Sequence, residues 1–90
     1  MRDRLLKVRY IPIEGTDPEH GQAVVERNQL RQNRLAQFEW LILVEAPGDP
    51  AEWQARLNAA ADPRQGRFTV DDASPEVVAQ ARAGRIKFQR

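Results

Sequence analysis

Three arginines recur at a spacing that would place them on one side of a helix. Arg27, Arg31 and Arg34 stand at positions i, i+4 and i+7, so on a helix their guanidinium groups would form one stripe about 10 Å long. Guanidinium groups bind phosphates, carboxylates and aromatic faces. This spacing predicts that the segment binds another macromolecule, either a nucleic acid or a protein.

Carboxamide side chains accompany these arginines. Gln29 and Gln32 stand between them, together with Asn28 and Asn33. Such amides can contact base edges or the backbone of another protein. The alternative interpretation is a solvated helix face whose arginines pair with nearby carboxylates, and charge runs more often form such faces.

Groups that perform covalent or metal chemistry are scarce. The chain has no Cys, one His (His20) and one Ser (Ser74). Nucleophilic catalysis needs an activated Ser, Cys, Thr or Lys beside a base, and transition-metal sites need several converging ligands. Ser74 precedes a proline and is interpreted as a helix cap, and His20 is interpreted as a surface loop residue. We therefore expect a non-enzymatic protein with no cofactor and no metal site.

Four carboxylates remain as candidates for acid–base or metal chemistry. Asp71 and Asp72 follow a predicted strand, where adjacent acids can hold Mg²⁺. No further acid at motif spacing accompanies them, so capping of the next helix is the preferred interpretation. Glu39 and Glu45 flank an apolar strand, where a carboxylate could act as a general acid or base. The simpler expectation is that both lie at the strand ends or pair with arginine.

The composition is that of one small globular domain spanning residues 1–90. Hydrophobic residues make up 41% of the chain and charged residues 30%, and the net charge is +1. That near-neutral charge argues against steering onto nucleic acid or an anionic membrane. The longest apolar run, residues 40–44, is far shorter than the roughly 20 residues of a membrane span. A cytoplasmic protein is expected.

The hydrophobic periodicity predicts alternating strands and helices. Strands are predicted at residues 5–13, 38–45, 67–71 and 86–89, and helices at 18–36, 50–61 and 77–83. Pro12 makes the first strand an edge strand or ends it. An alternative for the first helix is a strand at 23–26 that pairs back on the first strand, followed by a short helix from Asn28.

The resulting order is β-α-β-α-β-α-β. It predicts a small α/β or α+β sandwich of about four strands and three helices, with a ferredoxin-like arrangement as one variant. Trp40 and Trp53 are expected in the core, although one exposed tryptophan would suit a contact surface.

The favoured functional hypothesis is a small interaction or adaptor module that works through protein contacts. Self-association is its simplest form, and accessory or assembly factors of phages and mobile elements are examples of such small domains. The binding residues would be Arg27, Gln29, Arg31, Gln32 and Arg34. The alternative is a nucleic-acid-binding accessory protein that uses the same arginines. An enzyme built on the carboxylates and His20 ranks third.

Overall fold

Four antiparallel strands form one sheet in the computed structural model, which describes residues 3–89. The elements in chain order are β1 (Asp3–Pro12), α1 (His20–Arg27), β2 (Arg31–Ala36), β3 (Glu39–Glu45), α2 (Pro50–Ala60), β4 (Gly66–Asp72) and α3 (Pro75–Arg82). The strands lie in the order β2-β3-β1-β4. The expected α+β domain with four strands and three helices is confirmed. Its first six elements follow the β-α-β-β-α-β order of the ferredoxin-like arrangement.

β1 lies in the middle of the sheet. It pairs antiparallel with β3 on one side and with β4 on the other. Its alternating sequence places Leu6, Val8 and Tyr10 in the core, while Arg9 faces the opposite side of the sheet. The strand ends at Pro12, as one of the two alternatives predicted, and it is not an edge strand because it is paired on both sides.

The main core lies between the sheet and helices α1 and α2. Its largest fully buried side chains are Trp40, Tyr10 and Phe68. Trp40 is therefore a core residue, as expected. Trp53 of α2 packs against the same cluster while remaining partly exposed, and the Arg56 guanidinium lies 4.8 Å from its ring centroid.

A smaller core lies on the other face of the sheet, beneath α3. Leu5, Leu41 and Ala73 are buried there. The remainder of this face is open and carries charged side chains, among them Lys7 and Arg9. We refer to this uncovered area as the open sheet face.

Local capping signals mark the starts of α2 and α3, although α3 begins at Pro75 and not at the predicted residue 77. The Asp49 carboxylate accepts a hydrogen bond from the Ala51 amide at 3.0 Å, and Pro50 is the first residue of α2. The Ser74 hydroxyl accepts one from the Val77 amide at 3.3 Å, at the start of α3. Both caps satisfy amides that the helix cannot pair internally.

The predicted helix over residues 18–36 is wrong beyond Arg27. Its alternative, a strand at 23–26 followed by a short helix from Asn28, is also wrong. α1 ends at Arg27, the Asn28 side chain donates to the Val24 carbonyl, and Gln29 adopts a positive φ of 55°. The chain then continues as β2, which pairs with β3. The segment thus holds a short helix followed by a strand, because β3 needs a hydrogen-bonded neighbour on the side away from β1.

The predicted final strand at residues 86–89 is reduced to one bridge. Gln89 and Gln32 exchange backbone hydrogen bonds of 2.7 and 2.6 Å. The Lys87 carbonyl accepts from the Asn33 side chain at 2.8 Å instead of joining the ladder. The sheet reaches four strands through β2 and not through the predicted final strand. The predicted element order is therefore corrected to β-α-β-β-α-β-α.

Gly21 allows α1 to pack directly on aromatic rings. A Cβ at this position would lie 2.9 Å from both Cη2 of Trp40 and Cγ of Tyr10. We expect Gly21→Ala to lower the free energy of unfolding by about 1–2 kcal/mol, because overpacking outweighs the gain in helix propensity. Urea unfolding measures this change.

The exposed Ala23 of α1 provides the control, since its side chain meets no such contact. Ala23→Gly is expected to cost about 1 kcal/mol through helix propensity alone. A Gly21→Ala protein more stable than the natural one would contradict the packing argument.

Candidate functional site

The five predicted binding residues do not share one surface. Arg27 is the last residue of α1, Gln29 lies in the following turn, and the other three lie on β2. Arg31 and Arg34 are three residues apart on a strand, so their side chains point to opposite faces of the sheet. The predicted helical stripe is therefore wrong.

Gln32 and Arg34 connect β2 to α1. Gln32 is only 6% exposed, and its Oε1 accepts a hydrogen bond from Gln22 Nε2 at 3.2 Å. Arg34 donates to the Glu19 carboxylate at 3.1 Å, and its guanidinium carbon lies 5.7 Å from the Trp40 ring centroid. Arg34 thus pairs with a nearby carboxylate, as the alternative interpretation of the segment expected.

His20 is not a loop residue. It is the first residue of α1, it is partly buried, and its Nε2 accepts a hydrogen bond from the Asp62 amide at 3.0 Å. This contact fixes the turn after α2 against the start of α1. His20 therefore stabilises the fold.

Two of the four carboxylate candidates, Glu39 and Asp72, form ion pairs. Glu39 lies 3.1 Å from the Lys7 ammonium group and 3.8 Å from the Arg9 guanidinium, as the simpler expectation held. Asp72 accepts hydrogen bonds from Arg4 Nε at 2.9 Å and Nη2 at 2.7 Å. Because Asp72 is the last residue of β4 and Ser74 caps α3, the capping interpretation of Asp72 is wrong.

A groove of about 1150 Å³ lies between α3 and the sheet. Its lining is mainly apolar, with contributions from Leu5, Leu43, Val78, Ala81, Ile86 and Phe88. None of the residues of α3, Pro75–Arg82, is fully buried. The helix therefore covers its end of the sheet incompletely and leaves apolar side chains within reach of solvent.

Charged side chains surround this apolar lining. Arg31 reaches the groove from β2, Arg82 from α3 and Asp3 from β1. Arg4 and Asp72 form an ion pair at its edge, and Arg4 Nη1 donates to the Pro47 carbonyl at 2.8 Å. Of the five predicted binding residues, only Arg31 lines the groove.

Sequence reasoning missed the groove as a site. Val77, Val78 and Ala81 have the spacing of a buried helix face, and Ile86 and Phe88 have the alternation of a strand. These patterns predict a helix and a strand, and neither predicts a groove between them. A hint was present in the short helix of small apolar residues, which offers too little side-chain volume to cover a sheet.

Residues 86–89 separate this groove from a smaller polar pocket of about 280 Å³. Ile86 and Phe88 line the groove, whereas Lys87 and Gln89 line the polar pocket. Side chains of this segment therefore alternate between the two cavities.

Aromatic side chains are placed away from the open sheet face. Tyr10, Trp40 and Phe68 lie in the main core, Phe38 and Trp53 pack against that core, and Phe88 lines the groove. Within residues 3–89 the open sheet face therefore lacks the aromatic platform on which single-stranded nucleic acids stack.

Residues 3–89 contain no group of three or more His, Asp or Glu side chains placed to hold a metal ion. No helix in this part of the chain combines the length and the apolar character needed to span a membrane. Comparison with models of protein families, with curated proteins and with solved structures found no match to this chain.

Proposed function

We propose that the protein is a small binding module that accepts an apolar segment of another protein in the groove between α3 and the sheet. The observation that supports this function is the partly exposed apolar lining, which includes Leu43, Val78, Ile86 and Phe88. A contiguous apolar surface open to solvent is typical of an interaction site.

The groove is open to solvent, which favours a protein segment over a small molecule. Its apolar lining is partly exposed, whereas small-molecule sites typically enclose most of the ligand surface. Helices and extended chains commonly bind in such grooves by inserting several apolar side chains.

The chemistry of the lining favours binding over catalysis. In the described part of the groove, the charged side chains are those of Asp3, Arg4, Arg31, Asp72 and Arg82. Guanidinium groups and an apolar floor recognise a partner but do not form a nucleophile with its base.

Selection from a displayed library of random peptides tests this function. Peptides rich in Leu, Ile or Phe are expected to be enriched on the natural protein. Ala79 lies exposed at the groove wall, so Ala79→Trp is expected to fill the groove without disturbing the core. We expect this variant to weaken binding of the selected peptides by at least about tenfold, as is common at interface centres.

Ala55→Trp is the matched control, because Ala55 is exposed on α2 and does not line the groove. It is expected to retain peptide binding. Equal binding by both variants would exclude the groove as the site. Binding of a single-stranded RNA or DNA probe at low salt, with no peptide selected, would favour the nucleic-acid alternative instead.

A further inference from the structure

We propose that Arg31 and Arg82 select partner segments that carry carboxylates beside their apolar side chains. This inference rests on the proposed function, since it names the chemical class of segment that the groove accepts. The occupant would be an acidic, amphipathic stretch of another protein.

Arg31 and Arg82 approach the groove from different elements, β2 and α3. Both side chains are exposed, and neither forms an ion pair with another residue of the range 3–89. Arg4 at the same groove differs, because its guanidinium already binds Asp72 and the Pro47 carbonyl. Two guanidinium groups therefore remain to bind an incoming anion.

The sheet register places one of these guanidinium groups beside an apolar surface. Arg31 is the cross-strand partner of Leu43, and Leu43 is the partner of Leu5 on the next strand. These three residues form one row across the sheet on the side facing α3. A segment that inserts an apolar side chain over the leucines brings its next acidic residue toward Arg31.

Occupancy of the groove would strengthen these contacts. A partner lying over the leucines excludes water from the neighbouring guanidinium, and a pair of opposite charges attracts more strongly at lower effective dielectric. Arginine can also bind a carboxylate through two parallel hydrogen bonds. The partner's acids are expected at Arg31 and Arg82 and away from Asp3, which lies opposite Glu45 in the next row.

The test uses one synthetic amphipathic peptide containing Leu and Phe, prepared in three versions with Glu, Gln or Lys at its polar positions. Fluorescence anisotropy measures binding to the full chain. We expect the Glu version to bind about tenfold more tightly than the Gln version, the combined effect of two modest ion pairs. The Lys version is expected to bind most weakly.

The double variant Arg31→Glu/Arg82→Glu is expected to reverse this ranking, so that the Lys version binds best. Arg27→Glu/Arg67→Glu is the control, because both residues are exposed and outside the groove. The control makes the same change in net charge and is expected to preserve the original ranking. A reversal in both variants would assign the effect to overall charge and overturn the inference.

Two other outcomes separate this inference from the proposed function. Equal binding of the Glu and Gln versions, abolished by Ala79→Trp, would overturn carboxylate selection and leave the groove as the site. Binding of none of the three peptides would overturn both. Oleate that bound more tightly than the Glu version would assign the groove to a lipid and overturn the choice of a protein segment.

Discussion

Asn58→Leu is expected to lower the free energy of unfolding by about 2–4 kcal/mol, because it leaves two backbone groups of Phe68 without partners. Asn58 Nδ2 donates to the Phe68 carbonyl at 3.1 Å, and Asn58 Oδ1 accepts from the Phe68 amide at 2.8 Å. Phe68 is 1% exposed, so water replaces these bonds poorly. Urea unfolding measures the loss.

The same substitution is expected to expose a strand edge. β4 is an outer strand, and Asn58 and Gln54 of α2 occupy its free side, where Gln54 Oε1 accepts from the Val70 amide at 3.0 Å. These side chains take the place of a neighbouring strand. Unpaired edges promote association between sheets, so Asn58→Leu should associate in a concentration-dependent manner in sedimentation experiments.

Two further variants test whether the lost hydrogen bonds cause the effects of Asn58→Leu. Asn58→Asp retains the acceptor for the Phe68 amide but loses the donor, so an intermediate loss of stability is expected. Ala59→Leu, an exposed change on α2, should shift stability by less than about 0.5 kcal/mol. A stable, monomeric Asn58→Leu protein would show that water or another group satisfies the edge of β4.

Tyr10→Phe is expected to raise the free energy of unfolding by about 1–3 kcal/mol, the cost of burying a hydroxyl group that forms no hydrogen bond. Tyr10 is 1% exposed, and its hydroxyl has no hydrogen-bond partner in the described part of the chain. The ring packs against Phe68 with centroids 4.8 Å apart, and phenylalanine preserves that contact. Urea unfolding at neutral pH measures the gain.

The difference in free energy of unfolding between the natural protein and Tyr10→Phe should grow at alkaline pH. Burial raises the pKa of Tyr10 above its usual value of 10.0, with smaller contributions from the negative charges of Asp62 and Asp17. The hydrogen bonds that Arg64 donates keep the pKa of Asp62 low, so that charge is present. The unfolded chain therefore loses the phenol proton at lower pH than the folded protein does.

Because the pKa of Tyr10 is higher in the folded protein than in the unfolded chain, high pH lowers the free energy of unfolding. The stability contributed by protonated Tyr10 is complete below pH 10 and is lost as the pH rises through the higher pKa of the folded state. The Tyr10→Phe protein has no phenol to ionise at this position, so it does not lose this stability. Because Tyr10 is the only tyrosine in the chain, tyrosinate absorbance reports its ionisation directly.

Tyr10→Ala measures the contribution of the ring to stability, whereas Tyr10→Phe measures that of the hydroxyl group. Removing the ring is expected to cost about 3–5 kcal/mol through lost burial and the cavity left behind. If Tyr10→Phe instead destabilised the protein at neutral pH, the hydroxyl group would have a hydrogen-bond partner in solution and would not be an unsatisfied polar group.

The amino-acid sequence by itself determined the elements whose signals are local. Alternating apolar residues define β1, the apolar run of residues 40–44 defines β3, and the Asp49 and Ser74 caps mark the starts of α2 and α3. These signals depend on neighbouring residues, so they are readable without knowing what packs against each element.

Only the tertiary structure decided that residues 31–36 form a strand and where the candidate site lies. Arg31–Ala36 is a strand because β3 presents unpaired backbone groups on that side, and this pairing overrides a sequence without strong strand preference. The same pairing sends Arg31 to one face of the sheet and Arg34 to the other. The groove joins side chains of all four strands and of α3 with Ile86 and Phe88. Its existence depends on how α3 packs against the sheet, which the small apolar residues of this short helix hint at but do not specify.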